Sequence, residues 1–192
     1  MGDEKWILYS NPKRRKSWVN PDEASTSVAK PNRFGKKVPL CIWWDIKGVV
    51  YYELLQPGET VTANCYQRQL ICLSQALERK RPYTGKGERP VKLLHDNARP
   101  HIASHTKDTI MSLGWDVLQH PVYSPDIAPS DYHLFRSMQH ALSHMHFQSV
   151  DEIRKWLHDF IGSKNVKFFR DGIHLLPERW LKVLESNVEY FD

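Results

Sequence analysis

Apolar and polar positions along the chain fall into short strand-like runs followed by amphipathic helices. Lys5–Ser10 is aromatic and aliphatic and predicts a first strand. Val38–Trp44 and Gly48–Leu55 predict two more. Asp45-Ile46-Lys47-Gly48 between them has turn chemistry, so the pair reads as an antiparallel hairpin, ended by Pro57-Gly58. Thr62 is placed to cap a helix with Tyr66, Leu70, Leu73 and Leu77 on one face. Val91–His95 is a short strand of the buried type. Pro100 then opens a helix that runs to Leu113, with Gly114 as its stop. Trp115–Gln119 predicts another short strand. After a loop carrying Pro121, Pro125 and Pro129, Ser130 is expected to cap a helix bearing Leu134, Met138, Leu142 and Met145. Ser149 and Glu152 form a capping box for a helix stopped by Gly162, with Val150, Ile153, Trp156, Leu157, Phe160 and Ile161 on its apolar face. A last helix is expected over roughly residues 173–186.

Three strands in a meander followed by alternating helix and strand give the α/β class. The expected architecture is a mixed five-stranded sheet, its first three strands antiparallel, flanked by helices and followed by extra C-terminal helices. This is the element order of the ribonuclease-H-like fold. The 192 residues suit a single domain, 1–192. No apolar run is long enough for a membrane span and the acidic N-terminus is no secretory signal, so no membrane association is expected. Cys41, Cys65 and Cys72 form no paired framework and read as free thiols in a reducing compartment.

Residues 11–37 depart from the pattern. Asn11-Pro12, Asn20-Pro21 and Pro31-Asn32 punctuate a polar, basic stretch without apolar periodicity, a loop long enough to be functional or disordered. Charge is concentrated here. Residues 1–37 hold nine bases and four acids, a net of +5, which is the net charge of the whole chain; the remainder balances at eighteen of each. A local basic excess fits a polyanion, nucleic acid first, and equally fits a solvated lysine-rich loop. A second basic group, Arg79, Lys80, Arg81, Lys86, Arg89 and Lys92, reads first as a solvated helix end and turn.

Candidate chemistry lies with three aspartates. Asp96 ends the strand Val91–His95, Asp131 opens a helix after the Pro-rich loop, and Asp3 begins the first strand. In open α/β sheets ligands collect beyond the carboxyl ends of strands. Carboxylates gathered there repel one another, and a divalent cation relieves the repulsion; an all-oxygen set suits magnesium or manganese. Singly, Asp96 also reads as an Asx turn or cap, Asp131 as a first-turn acid, and Asp3 as a solvated residue; position along the chain does not say that the three meet. His101 and His105 lie four apart, and His140, His144 and His146 cluster, but without HExxH or a cysteine pair they read as surface or partly buried histidines rather than zinc ligands. Trp43, Trp44, Tyr51 and Tyr52 read as sheet packing.

Three motifs resemble those of mariner-family transposases, in the Tc1/mariner superfamily: Gly2-Asp3-Glu4-Lys5-Trp6, His95-Asp96-Asn97-Ala98-Arg99-Pro100-His101, and Tyr123-Ser124-Pro125-Asp126-Ile127-Ala128-Pro129-Ser130-Asp131-Tyr132-His133. The 34 residues between Asp96 and Asp131 match the mariner spacing, and the resemblance extends to Tyr190-Phe191-Asp192. It implies a DDE/D-type phosphoryl transferase in which Asp3, Asp96 and Asp131 hold a pair of Mg2+ or Mn2+ ions, Asp3 bridging them. The reaction implied is cleavage of a DNA phosphodiester to leave a 3′-hydroxyl, which then attacks target DNA at a TA dinucleotide. No small-molecule cofactor and no covalent protein nucleophile are expected.

The resemblance also makes residues 12–37 a clamp on DNA and on a partner subunit, and so implies a homodimer. Lys13, Arg14, Arg15, Lys16, Arg33, Lys36 and Lys37 would contact phosphates and Trp18 would anchor the loop. Residues 13–16 also read as a short nuclear-localisation run, a pattern common by chance, and a nuclear location is expected. The paired helix-turn-helix modules that precede this domain in complete relatives are not in the sequence, so end-specific DNA binding is expected to be lost. The alternative is a transposase remnant that binds DNA or a partner without autonomous transposition. A ribonuclease H is suggested by fold analogy alone, and the residues support no histone-methylating domain.

Overall fold

The computed structural model describes residues 1–12, 35–83, 85 and 90–185. Its centre is β2 (Lys37–Asp45), flanked by antiparallel β1 (Gly2–Leu8) and β3 (Gly48–Leu54). Seven consecutive residues of β2, Val38 to Trp44, are buried. Because side chains alternate across a strand, Val38, Leu40 and Ile42 serve one core while Cys41 and Trp43 serve the other, and an unbroken apolar run is what a two-sided strand requires. The same alternation sends Trp43 and Trp44 to opposite faces, both essentially inaccessible, while the pairing with β3 shifts register between them. The aromatic run thus packs the sheet, as its sequence suggested. Gly48, at φ +127°, supplies the left-handed residue that closes the β2–β3 turn.

β1 begins earlier than its apolar content predicts and ends at Leu8, with Ser10 in an isolated bridge to His146. Its polar start, Gly2-Asp3-Glu4-Lys5, is held extended by pairing with the apolar strand β2, from Gly2↔Trp43 to Leu8↔Lys37. Tertiary pairing overrides propensity here. Gly2 is required by close approach: a Cβ at this position would stand 2.2 Å from Trp43 Nε1.

On one face, α1 (Ala63–Lys80) lays Tyr66, Leu70 and Leu73 against Trp43 and Val50. The Thr62 hydroxyl accepts the Cys65 N–H at 3.2 Å and caps it as predicted. β4 (Val91–Leu93) and β5 (Trp115–Val117) form a parallel pair joined through α2 (Arg99–Ile102) and α3 (Ser104–Ser112). The single helix expected from Pro100 is two. Ala103 is extended, and the Thr106 hydroxyl donates to the Pro100 carbonyl at 2.8 Å across the break. The five strands hydrogen-bond as three plus two, and the Gly2 N–H donated to the Leu94 carbonyl at 2.9 Å sets β1 beside β4.

On the other face lie α4 (Arg136–Leu142), α5 (Val150–Gly162), α6 (Val166–His174) and α7 (Leu176–Glu185). Met138, Leu142, Ile153, Leu157, Phe160 and Phe169 pack there on Ile7, Val38, Leu40, Ile42 and Trp44. The Ser149 hydroxyl caps α5 and Glu152 reaches back to the Gln148 N–H. The last helix expected over roughly residues 173–186 is α7; α6 before it is unexpected, although Asn165, whose side chain accepts the Phe168 N–H, announces it. Among the described residues no helix is long and apolar enough to cross a membrane.

Ser130 does not cap a helix. Residues Ser130–Phe135 form a π-helical segment leading into α4, and the buried Ser130 hydroxyl accepts the Trp44 Nε1–H at 3.0 Å. This bond ties the segment to the back of β2. Ser130→Ala leaves the indole N–H unsatisfied in the core and should cost roughly 1–3 kcal/mol, read as a lower urea midpoint with an unchanged m value. An unchanged midpoint would show that the bond carries no net stability.

Candidate active site

The three aspartates line one cleft of about 390 Å3, together with His95, His120 and Tyr123. Each arrives by a different route. Asp3 is carried by β1, at the edge facing β4. Asp96 lies just beyond the carboxyl end of β4, where the chain turns into α2. Asp131 sits in the first turn of the π-helical segment.

Their environments differ. The Asp3 carboxylate accepts the Glu4 N–H through Oδ1 at 2.7 Å. Burial raises its pKa well above the usual carboxylate range, and the charges of Asp131, Glu4 and Asp96 add to this. Asp131 reaches solvent, yet loss of hydration against the cleft wall raises its pKa, Asp96 and Asp126 adding and Lys5 opposing. The Lys5 ammonium, itself lowered by burial, is sustained by Asp131 and Asp3 and stands 5.6 Å over the Phe135 ring.

Asp96 goes the other way. Its pKa is lowered, chiefly by its hydrogen bond with His101. His101 Nδ1 meets Asp96 Oδ1 at 2.6 Å, and the Ala98 N–H donates to the same oxygen at 2.9 Å. The Asx turn expected of an isolated aspartate is therefore present alongside the shared cleft. His101 Nε2 lies 3.1 Å from Glu4 Oε1. Burial alone would lower the His101 pKa, but the bonds to Asp96 and Glu4 raise it to about 10. Sequence reasoning set His101 aside as an ordinary histidine; the available signal was its place on the short helix that follows Asp96. His95, by contrast, is lowered to about 4 by burial and by the charge of His101.

Among the described residues no three His, Cys, Asp or Glu side chains are drawn in tightly as a ready-made metal cluster. The donor set nevertheless fits Mg2+ or Mn2+. All three side chains offer oxygen, the donor these hard cations take, and burial beside other acids raises the proton affinity of Asp3 and Asp131. Asp3 and Asp96 each engage protein donors through Oδ1, leaving Oδ2 without one among the described residues.

Support for the aspartates comes from the C-terminal helices, which the sequence did not assign to the site. The Tyr132 hydroxyl donates to the Gly172 carbonyl at 2.7 Å and His133 Nε2 bonds the Phe168 carbonyl at 2.8 Å. Arg179 stacks 4.0 Å above the Tyr132 ring and donates to the Asp126 carbonyl at 3.0 Å.

The predicted DNA-contacting residues Lys13, Arg14, Arg15, Lys16, Trp18 and Arg33 lie outside the described residues. Lys36 is exposed, and Lys37 sets its ammonium 4.5 Å over the Trp6 ring. In the second basic group Arg81 pairs with Asp45 at 2.8 Å and Lys92 with Asp116 at 2.6 Å; Lys86 and Arg89 lie outside the described residues. The three cysteines are free, and burial pushes the Cys41 thiol up to about 12.

The family model described as "Transposase (partial DDE domain)" matches residues 8–86, a span that holds none of the three aspartates. The Mariner Mos1 transposase of Drosophila mauritiana is 53% identical over 191 residues, covering 100% of this chain and 55% of its own length. The chain thus spans about half the length of that curated relative. Among solved structures, the Mos1 Strand Transfer Complex superposes with a TM-score of 0.89 at 55% identity, over 100% of this chain and 55% of that one. The Mos1 transposase catalytic domain with raltegravir and Mg gives 0.84 at 48% identity, over 100% of this chain and 84% of that one, and has a counterpart with Mn.

Burial of the Asp3 carboxylate, with its acidic neighbours adding, has a measurable consequence. Its pKa is higher folded than unfolded, so its contribution opposes folding increasingly as pH rises from about 4 through its folded value, and the penalty persists at neutral pH. Asp3→Asn should therefore raise the Tm of metal-free protein at neutral pH by a few degrees, the gain vanishing toward pH 4. Melts in a chelator across that range check this, and a variant Tm at or below the parent's at neutral pH contradicts the penalty of burying this carboxylate.

Proposed function

Because the chain belongs to the catalytic domains of mariner-family transposases, we propose that it is a metal-dependent DNA phosphoryl transferase that cleaves and joins strands. The reading rests on the cleft that Asp3, Asp96 and Asp131 share. Asp3, Asp96 and Asp131 are the residues that would hold the divalent cations, Mg2+ or Mn2+. Bound there, such ions would supply an activated oxygen nucleophile and stabilisation of the leaving oxygen. The chain's own task is to present ionised carboxylates in fixed positions. Raised proton affinity at Asp3 and Asp131 makes protons compete with metal, so activity falls in acid. Lys5 offsets part of the negative charge that a DNA phosphate meets on entry. Hydrolysis of a DNA phosphodiester leaves a 3′-hydroxyl, which attacks target DNA at a TA dinucleotide; no protein side chain becomes covalently attached.

Affinity comes from elsewhere on the chain. Lys13, Arg14, Arg15, Lys16, Arg33, Lys36 and Lys37 neutralise phosphates, Trp18 anchors the loop, and residues 12–37 also join two subunits in a homodimer. Its DNA substrate puts the protein in the nucleus. A second reading is a remnant that binds DNA or a partner without autonomous transposition; the confinement of the net charge to residues 1–37 supports the binding.

Plasmid nicking with Mn2+ or Mg2+ tests the first reading. The parent should nick and Asp96→Ala should fall to background; nicking that survives in the purified variant removes the assignment. Binding without nicking by the parent selects the second reading. For the basic segment, neutralising Lys13, Arg14, Arg15 and Lys16 together should flatten the slope of log affinity against log salt by up to about 3–4. An unchanged slope excludes these residues from phosphate contact.

A further inference from the structure

We propose that His101 is a positioning residue for Asp96: it donates from Nδ1 to Oδ1 of the carboxylate and thereby reserves Oδ2 for the metal. This inference deepens the assignment of Asp96 as a metal-holding residue and rests on it.

Asp96 needs such a partner. It lies past the end of a three-residue strand, its side chain is 52% exposed, and a carboxylate in that setting turns freely about its last torsion. A metal ligand that must first be immobilised binds weakly, which is why outer partners of ligands matter to affinity. The partner here is rigid. His101 is 3% exposed, its ring centroid 4.0 Å from that of Tyr66 and 5.1 Å from that of His95, the two imidazoles only 12° from parallel. The Tyr66 hydroxyl in turn meets His95 Nδ1 at 2.8 Å. This packing leaves the imidazole no room to rotate, so its two nitrogens point in fixed directions.

Those directions join two strands. Nε2 meets Glu4 Oε1 at 3.1 Å, and Glu4 directly follows Asp3 on β1. Nδ1 meets Asp96 Oδ1 at 2.6 Å beyond β4 and also lies 3.2 Å from the Asp96 carbonyl, so the ring grips both the side chain and the backbone of that residue. The imidazole is a strut between the backbone that carries one aspartate and the side chain of another. Both protein donors to Asp96, the His101 ring and the Ala98 N–H, converge on Oδ1. One oxygen is fixed twice and the other is left with no protein partner among the described residues, the division of labour expected of a preorganised ligand.

Two amide substitutions separate the two nitrogens. The amide of His101→Asn falls near Nδ1 and keeps a donor to Asp96; that of His101→Gln falls near Nε2 and keeps only the Glu4 side. Mn2+ affinity is read directly, from loss of the free-ion electron paramagnetic resonance signal on titrating protein without DNA. His101→Gln should weaken Mn2+ binding about 10-fold or more, while His101→Asn stays within about threefold of the parent. A parent-like affinity in His101→Gln overturns the proposal. So does equal weakening in both variants, because a purely structural role would not distinguish the nitrogens. Should His101→Gln not fold, the metal-free parent decides: the His101 Nδ1 proton should give a far-downfield, slowly exchanging nuclear magnetic resonance signal that disappears in Asp96→Ala, and its absence from the parent overturns the proposal. Failure of the underlying reading looks different: Asp96→Ala then binds Mn2+ as the parent does, whatever the His101 variants do.

Discussion

Burial of carboxylates beside one another is the constraint on which the rest of the structure turns. Asp3 and Asp131 each hold their protons more tightly because of their surroundings, and each senses the charge of Asp96. Left to relax, such groups would move apart or into solvent. They stay together because each is attached to an element whose position is decided by apolar packing elsewhere. β1 is clamped along β2 from Gly2 to Leu8, and the π-helical segment is moored through Ser130 to Trp44, one of the most deeply buried side chains in the protein. Hydrophobic burial at a distance thus sustains a locally unfavourable arrangement, as expected where strain serves a site.

The two halves of the cleft are held by different devices. On the Asp131 side the grip is from behind: α6 and α7 hold the segment through Tyr132, His133 and Arg179. On the Asp96 side the grip is from within, through a buried imidazole braced by aromatic rings. The contrast follows from the backbone. A π-helical segment already fixes where its side chains project, so support can act on neighbouring residues. A turn after a short strand does not, so support must reach the carboxylate itself.

Much of this was legible in the sequence where one physical signal dominated. The β2 run, the Thr62 and Ser149 caps and the α1 stripe each depend on local chemistry, and each stands where periodicity put it. The three aspartates could be singled out by position, but their meeting could not, because it depends on the Gly2–Leu94 hydrogen bond and on the mooring of Ser130, both long-range. The misreadings share that cause. Ser130 carries a good capping side chain, yet a buried indole N–H takes the hydroxyl. The polar opening of β1 has little strand propensity, yet β2 supplies its hydrogen bonds. His101 looks like any helical histidine until Glu4, 97 positions away, is brought to its second nitrogen.

Charge completes the argument. A cleft of three aspartates repels the polyanion that the proposed chemistry requires, so attraction must come from somewhere that does not neutralise the site. The sequence separates the two tasks: residues 1–37 carry the entire net charge of +5 and residues 38–192 carry none. Within the folded body, Arg81 and Lys92 are committed to Asp45 and Asp116. Of the cations on the described elements, Lys5 is the one whose charge is felt by both Asp3 and Asp131. At physiological salt, fields fade over about 8 Å, so bases farther than that from the carboxylates would hold a phosphate backbone without displacing a metal. On the proposed reading, binding strength and chemical reactivity are set by different residues, and each is open to alteration without the other.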